Sequence, residues 1–216
     1  MKSLADCRLY TFVDTAYLHG RDPATLAQQL CDGGSDLIQL RAKNESLEET
    51  RRLAEAILPV TEKNGVRLVI NDHYQLAAEL GAPIAHVGQE DFFDNGHQHV
   101  RELKPAGSSL EIGISTHAPE QAQRAIDAGA DYVAIGPIYP TGTKPTAKPV
   151  TLEYVKWAAQ NVKVPWFAIG GINLQNLDDV LAAGAVRICV VSAILNALDV
   201  AKACQDFKMR LPSSPR

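Results

Sequence analysis

The chain has 216 residues, 46% of them hydrophobic, and its 21 basic and 25 acidic residues leave a formal net charge of −4. That length and apolar content suffice for one domain with a full core. A mildly acidic chain without a basic run argues against a general nucleic-acid or anionic-membrane surface, so the cations that matter are local ones.

Short apolar runs and helical segments then alternate along the chain. Residues 9–13 form a first buried strand. Asp22-Pro23 is an N-cap with proline at the first helical position, and apolar residues follow to Leu30. Leu37-Ile38 runs on into Gln39, Arg41 and Lys43. Ser46-Leu47-Glu48-Glu49 is a capping box, and its helix continues to about Asn64, where Gly65 stops it. Residues 68–70 lead into Asn71-Asp72, and a short helix over 74–80 ends at Gly81. His86-Val87 leads to Gln89-Glu90-Asp91, and the stretch from Asp91 to Lys104 has no clear helical pattern. Residues 112–114 end in Ser115-Thr116-His117, and Pro119-Glu120 opens a helix that stops at Gly129. Residues 132–135 precede a loop with Thr141, Gly142, Thr143 and Lys144, and a helix follows over 152–160. Residues 166–169 lead to Gly170-Gly171, and the helix over 176–183 ends at Gly184. Residues 188–191 are the last strand, with Ser192 after it. A helix over 199–209 precedes a Pro/Ser tail expected to fray from about 210.

Eight strands, each buried on both faces, allow a doubly wound open sheet or a closed (β/α)8 TIM barrel. A polar cluster follows every strand, not only those at one switch point. That favours the barrel, whose active site collects the C-terminal ends of many strands. The expectation is one α/β barrel domain over residues 1–216.

The clusters suggest chemistry. Asp72 and Asp91 follow consecutive strands, so their carboxylates come within reach of one Mg2+, with waters and phosphate oxygens completing its shell. The competing reading of Asp72 is a cap for the helix near Tyr74, and of Asp91 a solvated loop carboxylate. Gln39, Arg41 and Lys43 alternate, so one side of a strand end carries an amide and two cations suited to a diphosphate. The alternative is a surface salt bridge. Lys144 sits in a proline-punctuated loop that is not a P-loop; it reads as a phosphate-binding lid or a merely structural loop. Gly170-Gly171 and Val191-Ser192 follow strands seven and eight, where barrels of this kind bind phosphate through backbone N–H groups; Gly170-Gly171 also reads as a plain tight turn. His86 reads as a core histidine, and His117 as an acid–base or a structural group. His97 and His99 lack partners spaced for zinc.

Cys7, Cys31, Cys189 and Cys204 form no C-x-x-C pair and read as reduced thiols of a cytoplasmic protein. No apolar run approaches the ~18 residues of a membrane span.

Gln39-Leu-Arg-Ala-Lys43, Asn71-Asp72, His86-Val-Gly-Gln-Glu-Asp91, Gly113-Ile-Ser-Thr-His117, Gly136-Pro-Ile-Tyr-Pro-Thr-Gly-Thr-Lys144 and Ala168-Ile-Gly-Gly-Ile172 resemble the thiamine-phosphate synthase family in order and spacing. The resemblance runs from about Leu9 to Leu195. It implies a (β/α)8 barrel that joins hydroxymethylpyrimidine diphosphate to hydroxyethylthiazole phosphate, with the carboxylated thiazole also allowed. By that resemblance Gln39, Arg41, Lys43 and Asn71 bind the pyrimidine diphosphate, and Asp72 and Asp91 hold Mg2+. Ser115 contacts the pyrimidine substrate and Lys144 its diphosphate. Thr141, Gly142 and Thr143, with Gly171, Val191 and Ser192, hold the thiazole phosphate. Arg41, Lys43, Ser115 and Lys144 are the expected catalytic set. The partners implied are these two small molecules, with a homo-oligomer left open.

Some positions depart from the family's usual pattern. His73 stands where arginine is common, and Gln75 where aspartate is. Pro83 interrupts the run before strand four and is expected to shift it. Val150-Thr151 stands where a glycine precedes Leu152, and Val186-Arg187 where an acidic-glycine pair precedes strand eight. The nearest rival reading is the thiazole tautomerase of the same family, which does not need the diphosphate and metal residues. A second is a non-catalytic thiamine-phosphate binder.

Overall fold

Short apolar runs with no polar face, bounded by glycines, suit strands covered on both sides, and each forms one here. The structure, a computed structural model, describes residues 2–142 and 149–212. Its strands are β1 (Leu9–Asp14), β2 (Leu37–Arg41), β3 (Arg67–Asn71), β4 (Ile84–Gly88), β5 (Glu111–Thr116), β6 (Tyr132–Ile135), β7 (Trp166–Ile169) and β8 (Ile188–Cys189). They pair in parallel in chain order, and β8 returns to β1 through Leu9↔Ile188 and Tyr10↔Cys189. The result is a closed barrel, as the polar cluster after every strand predicts. All strand C-termini therefore open at one mouth.

The helices are α1 (Pro23–Asp32), α2 (Leu47–Lys63), α3 (Tyr74–Leu80), α4 (Gln89–Asp94), α5 (Pro119–Asp127), α6 (Thr151–Asn161), α7 (Leu177–Ala182), α8 (Ser192–Leu195) and α9 (Val200–Arg210). Local chemistry sets their ends. The Asp22 carboxylate accepts from the Thr25 N–H at 2.7 Å, and the Ser46 hydroxyl from the Glu49 N–H at 3.1 Å. Each such cap stabilises its helix by about 1 kcal/mol. The Glu49 carboxylate is held by Arg52.

Three local readings change. Strand eight covers only Ile188 and Cys189; Val191 turns out of it at φ −112°, ψ −90° to cap α8. Asp91 is not in a loop: it stands in the first turn of α4. Helicity in this fourth unit continues as a 3-10 turn over Val100–Leu103. There the His99 ring accepts from the Arg101 N–H at 3.1 Å, and Glu102 accepts from the His99 N–H at 2.9 Å. His97 Nδ1 also lies 3.2 Å from Glu102.

Pro83 does not displace strand four. Ile84, just after it, is already in register with Val69 and Glu111. The proline sits one residue before the ladder, where its missing N–H costs no strand bond. After α9, Leu211 is still buried, and residues 213–216 lie outside the described residues.

Candidate active site

The strand ends enclose a cavity of about 270 Å3 at the mouth of the barrel. Gln39, Arg41 and Lys43 line it from β2 and its continuation. Asn71, Asp72, Asp91 and Ser115 line it from the third, fourth and fifth units, and Thr141, Gly171, Val191 and Ser192 from the sixth to eighth. Gly142 is exposed, beside the Tyr17 hydroxyl, and does not line the cavity. Thr143 and Lys144 lie outside the described residues.

Arg41 is held from below. Its Nη1 lies 3.0 Å from Asp14 Oδ2, and the Asp14 side chain is only 1% exposed. The other Asp14 oxygen accepts from the Ala16 N–H at 3.0 Å. A buried carboxylate stays charged only when paired and hydrogen-bonded, so Asp14 and Arg41 depend on each other. The expected alternative, a surface salt bridge, does not describe Arg41 with Asp14, but it does describe Lys43 with Asp72, whose side chains are 47% and 30% exposed.

Asp72 is the meeting point of the third unit. Its Oδ2 accepts from Asn71 Nδ2 at 2.7 Å and lies 2.9 Å from Lys43 Nζ. The helix-cap reading of Asp72 fails: the cap of α3 is His73, which makes no side-chain cap bond. Asp72 instead takes a left-handed backbone, φ 65°, while its N–H donates to the His86 carbonyl at 2.8 Å. Aspartate tolerates that region better than most residues, at some cost in strain. Asp91 packs against Gly88, which has no side chain to displace it; a Cβ at Gly88 would lie 2.8 Å from Asp91 Oδ2.

His117 is anchored in the wall of the cavity, as its structural reading expects. Its Nδ1–H donates to the Gly136 carbonyl, which fixes the ring, and its Nε2 faces Glu90 Oε1 at 3.9 Å. His86 is a core histidine that also lines the cavity, with Nδ1 3.0 Å from the Tyr132 hydroxyl. Burial pushes its pKa down to about 4, so the ring is neutral near pH 7.

Sequence reasoning missed Tyr10, Phe12 and Asp14. Period two along β1 puts all three on one face, and Tyr10 and Phe12 line the cavity with rings stacked 5.3 Å apart. With Ile169, Ile172 and Cys189 they add an apolar wall to a site otherwise built of charges. Such a cavity can hold a flat ring against the wall and an anion against Arg41 and Lys43.

A family model described as thiamine monophosphate synthase matches residues 9–194. The chain belongs to that family. It is 41% identical to a thiamine-phosphate synthase of Acidothermus cellulolyticus over 98% of both chains. It is 45% identical to one from Thermus thermophilus over 83% of this chain and 84% of that one. Among solved structures, a thiamine phosphate pyrophosphorylase from Pyrococcus furiosus superposes with a TM-score of 0.83 at 28% identity, covering 95% and 96% of the two chains.

Two of this chain's departures from the family pattern acquire a physical meaning. Thr151, where a glycine is usual, sits at φ 63°, a conformation glycine adopts without strain and a β-branched residue does not. Arg187, in place of the acidic-glycine pair, is largely buried, donates to the Ala5 carbonyl at 2.7 Å and leaves its Nε without a partner. The structure gives no physical account of the Gln75 exchange.

Proposed function

We propose that this mouth couples hydroxymethylpyrimidine diphosphate to hydroxyethylthiazole phosphate, releasing thiamine phosphate and diphosphate. The observation that carries the proposal is the convergence of Arg41, Lys43, Asp72 and Asp91 on one cavity with an aromatic wall, in a chain of this family. One barrel domain spanning the chain would carry the activity. Its four free thiols fit a cytoplasmic setting, and no helix among the described residues is long and apolar enough to cross a membrane.

Asp72 and Asp91 fit Mg2+. They are hard oxygen donors on consecutive units of one cavity, and two carboxylates are enough for an ion that keeps waters and takes phosphate oxygens. Bound there, Mg2+ would supply positive charge against the leaving diphosphate.

The chain's own groups do the rest. Arg41, oriented by Asp14, presents a fork to two diphosphate oxygens. Lys43 is held beside Asp72 and within the same cavity, so it can turn to the diphosphate when that arrives. Lys144 is proposed to add a third cation. Gln39, Asn71 and Ser115 contact the pyrimidine substrate, and Thr141, Thr143, Gly171, Val191 and Ser192 anchor the thiazole phosphate. Diphosphate leaves a benzylic-type methylene while the electron-rich aminopyrimidine delocalises the developing positive charge. The thiazole nitrogen, aligned by its phosphate anchor, captures that carbon. No protein nucleophile is needed.

Inhibition by inorganic diphosphate tests the two-site arrangement. Competition against the pyrimidine diphosphate, and not against the thiazole phosphate, is the expected pattern. Competition against the thiazole phosphate alone would refute it.

A further inference from the structure

Four side chains from four strands form an unbroken hydrogen-bonded line under the cavity. Gln39 Nε2 donates to the Tyr10 hydroxyl at 2.5 Å. The Tyr10 and Tyr132 hydroxyls are 3.0 Å apart, and the Tyr132 hydroxyl is 3.0 Å from His86 Nδ1. Gln39, Tyr10 and His86 line the cavity; Tyr132 lies beneath them and is fully buried. The barrel is shaped around Tyr132. A Cβ at Gly113 would lie 2.0 Å from its Cζ, so only glycine fits there. The Phe167 ring meets Tyr10 and Tyr132 edge-on, with centroids 5.4 and 5.6 Å away.

Donor counting gives the line a direction. The Gln39 Nε2 is a donor, so the Tyr10 proton must go to the Tyr132 oxygen. The Tyr132 proton must then go to His86 Nδ1. His86 is thereby held as the neutral tautomer with its proton on Nε2. An imidazolium, or the other tautomer, would leave one tyrosine proton with no acceptor in the line. At the two ends, Gln39 Oε1 and His86 Nε2 have no partner among the described residues, and neither is sealed from solvent, since Arg187 Nε is the sealed unpartnered side-chain atom there. The floor therefore offers the ligand one acceptor and one donor, in a pattern set from below. Turning the Gln39 amide over would reverse every bond and exchange the two.

We propose that Tyr132, which does not line the cavity, is a positioning residue that locks Gln39 and His86 into complementary acceptor and donor states for the aminopyrimidine ring. This rests on the function proposed above. The ring suits such a floor because its amino group donates while its ring nitrogens accept. Through the Tyr10 hydroxyl, the buried Tyr132 hydroxyl thus couples two cavity residues, Gln39 on β2 and His86 on β4.

Nitrogen-15 NMR of the histidines, with His86→Gln identifying the signal, reads the tautomer directly in the unaltered protein. A proton on Nε2 and a bare Nδ1 are expected; a proton on Nδ1 overturns the proposal whatever the activity is. The Tyr132→Phe variant removes both hydroxyl links and keeps the ring. Its kcat/KM for the pyrimidine diphosphate should fall about ten-fold, as for loss of one buried hydrogen bond. Its KM for the thiazole phosphate should be unchanged, and the His86 signal should become a mixture of tautomers. A variant that loses only thermal stability, with both kinetic constants and the tautomer unchanged, would show a structural role alone and overturn the proposal. Absence of thiamine phosphate from the unaltered protein would refute the proposed reaction but leave the tautomer measurement to decide on the line.

Discussion

Lys43 Nζ lies 2.9 Å from Asp72 Oδ2, and Asn71 Nδ2 holds the same oxygen at 2.7 Å. The carboxylate expected to take the metal is thus partnered by the lysine expected to take the diphosphate. Asp72→Asn keeps a residue that tolerates the left-handed backbone but removes the charge. It should lower Mg2+-dependent turnover by at least about 100-fold, as removal of a charge-stabilising group does. Asp91→Asn should do the same. Steady-state rates across a Mg2+ titration, with circular dichroism to confirm the fold, check both; full activity in either variant would remove it from the metal site.

Asp14 is predicted to act through Arg41. Asp14→Asn leaves the arginine without its buried counter-charge, so the guanidinium loses its fixed angle toward the diphosphate. Misplacement of this kind should cost about ten- to hundred-fold in kcat/KM for the pyrimidine diphosphate. The KM for the thiazole phosphate should not move. Equal losses for both substrates would mean that Asp14 supports the barrel rather than Arg41.

Thr151 is a stability prediction. A β-branched residue at φ 63° is strained by roughly 1 kcal/mol. Thr151→Gly should therefore raise the melting temperature by about 3 °C for a chain of this size. The weak bond from the Glu153 N–H to the Thr151 hydroxyl, 3.4 Å, is lost but does not offset the gain. A calorimetric scan that shows a lower midpoint would disprove the strain.

Asp36 governs acid stability at the far end of the barrel. Burial alone would raise its pKa, but Lys2, Lys208 and the N–H groups of Leu9 and Arg8 outweigh it and hold the carboxyl below its usual range. A depressed folded pKa gives stability that is present above the ordinary carboxylate value of about 4 and lost as pH falls through the folded one. Asp36→Asn should cost about 3 kcal/mol at pH 7, because it leaves the largely buried Lys208 ammonium without its counter-charge. Urea unfolding as a function of pH should show the parent's advantage over the variant shrinking below pH ~4. A constant difference at all pH values would contradict the assignment.

The barrel was legible because buried strands need no polar face and because Gly65, Gly81 and Gly184 stop helices where the sequence places the stops. The alternation of Gln39, Arg41 and Lys43 carried over to the cavity intact, since period two is a local property of a strand. What was not legible depends on register. Asp14 meets Arg41 only because those two residues are partners across β1 and β2. Tyr10, Tyr132 and His86 each read as one more residue of an apolar run, and only barrel closure joins them. Asp91 looked like a loop residue because a six-residue helix is too short to show a period.

Two anion sites are proposed to face one another across a bond to be made. Phosphorus NMR of the protein with both phosphorylated substrates and Mg2+ tests it most directly. Thiamine phosphate and diphosphate should appear in equal amounts, and only when both substrates are present. Diphosphate released from the pyrimidine substrate alone, or no thiamine phosphate from the pair, would contradict it.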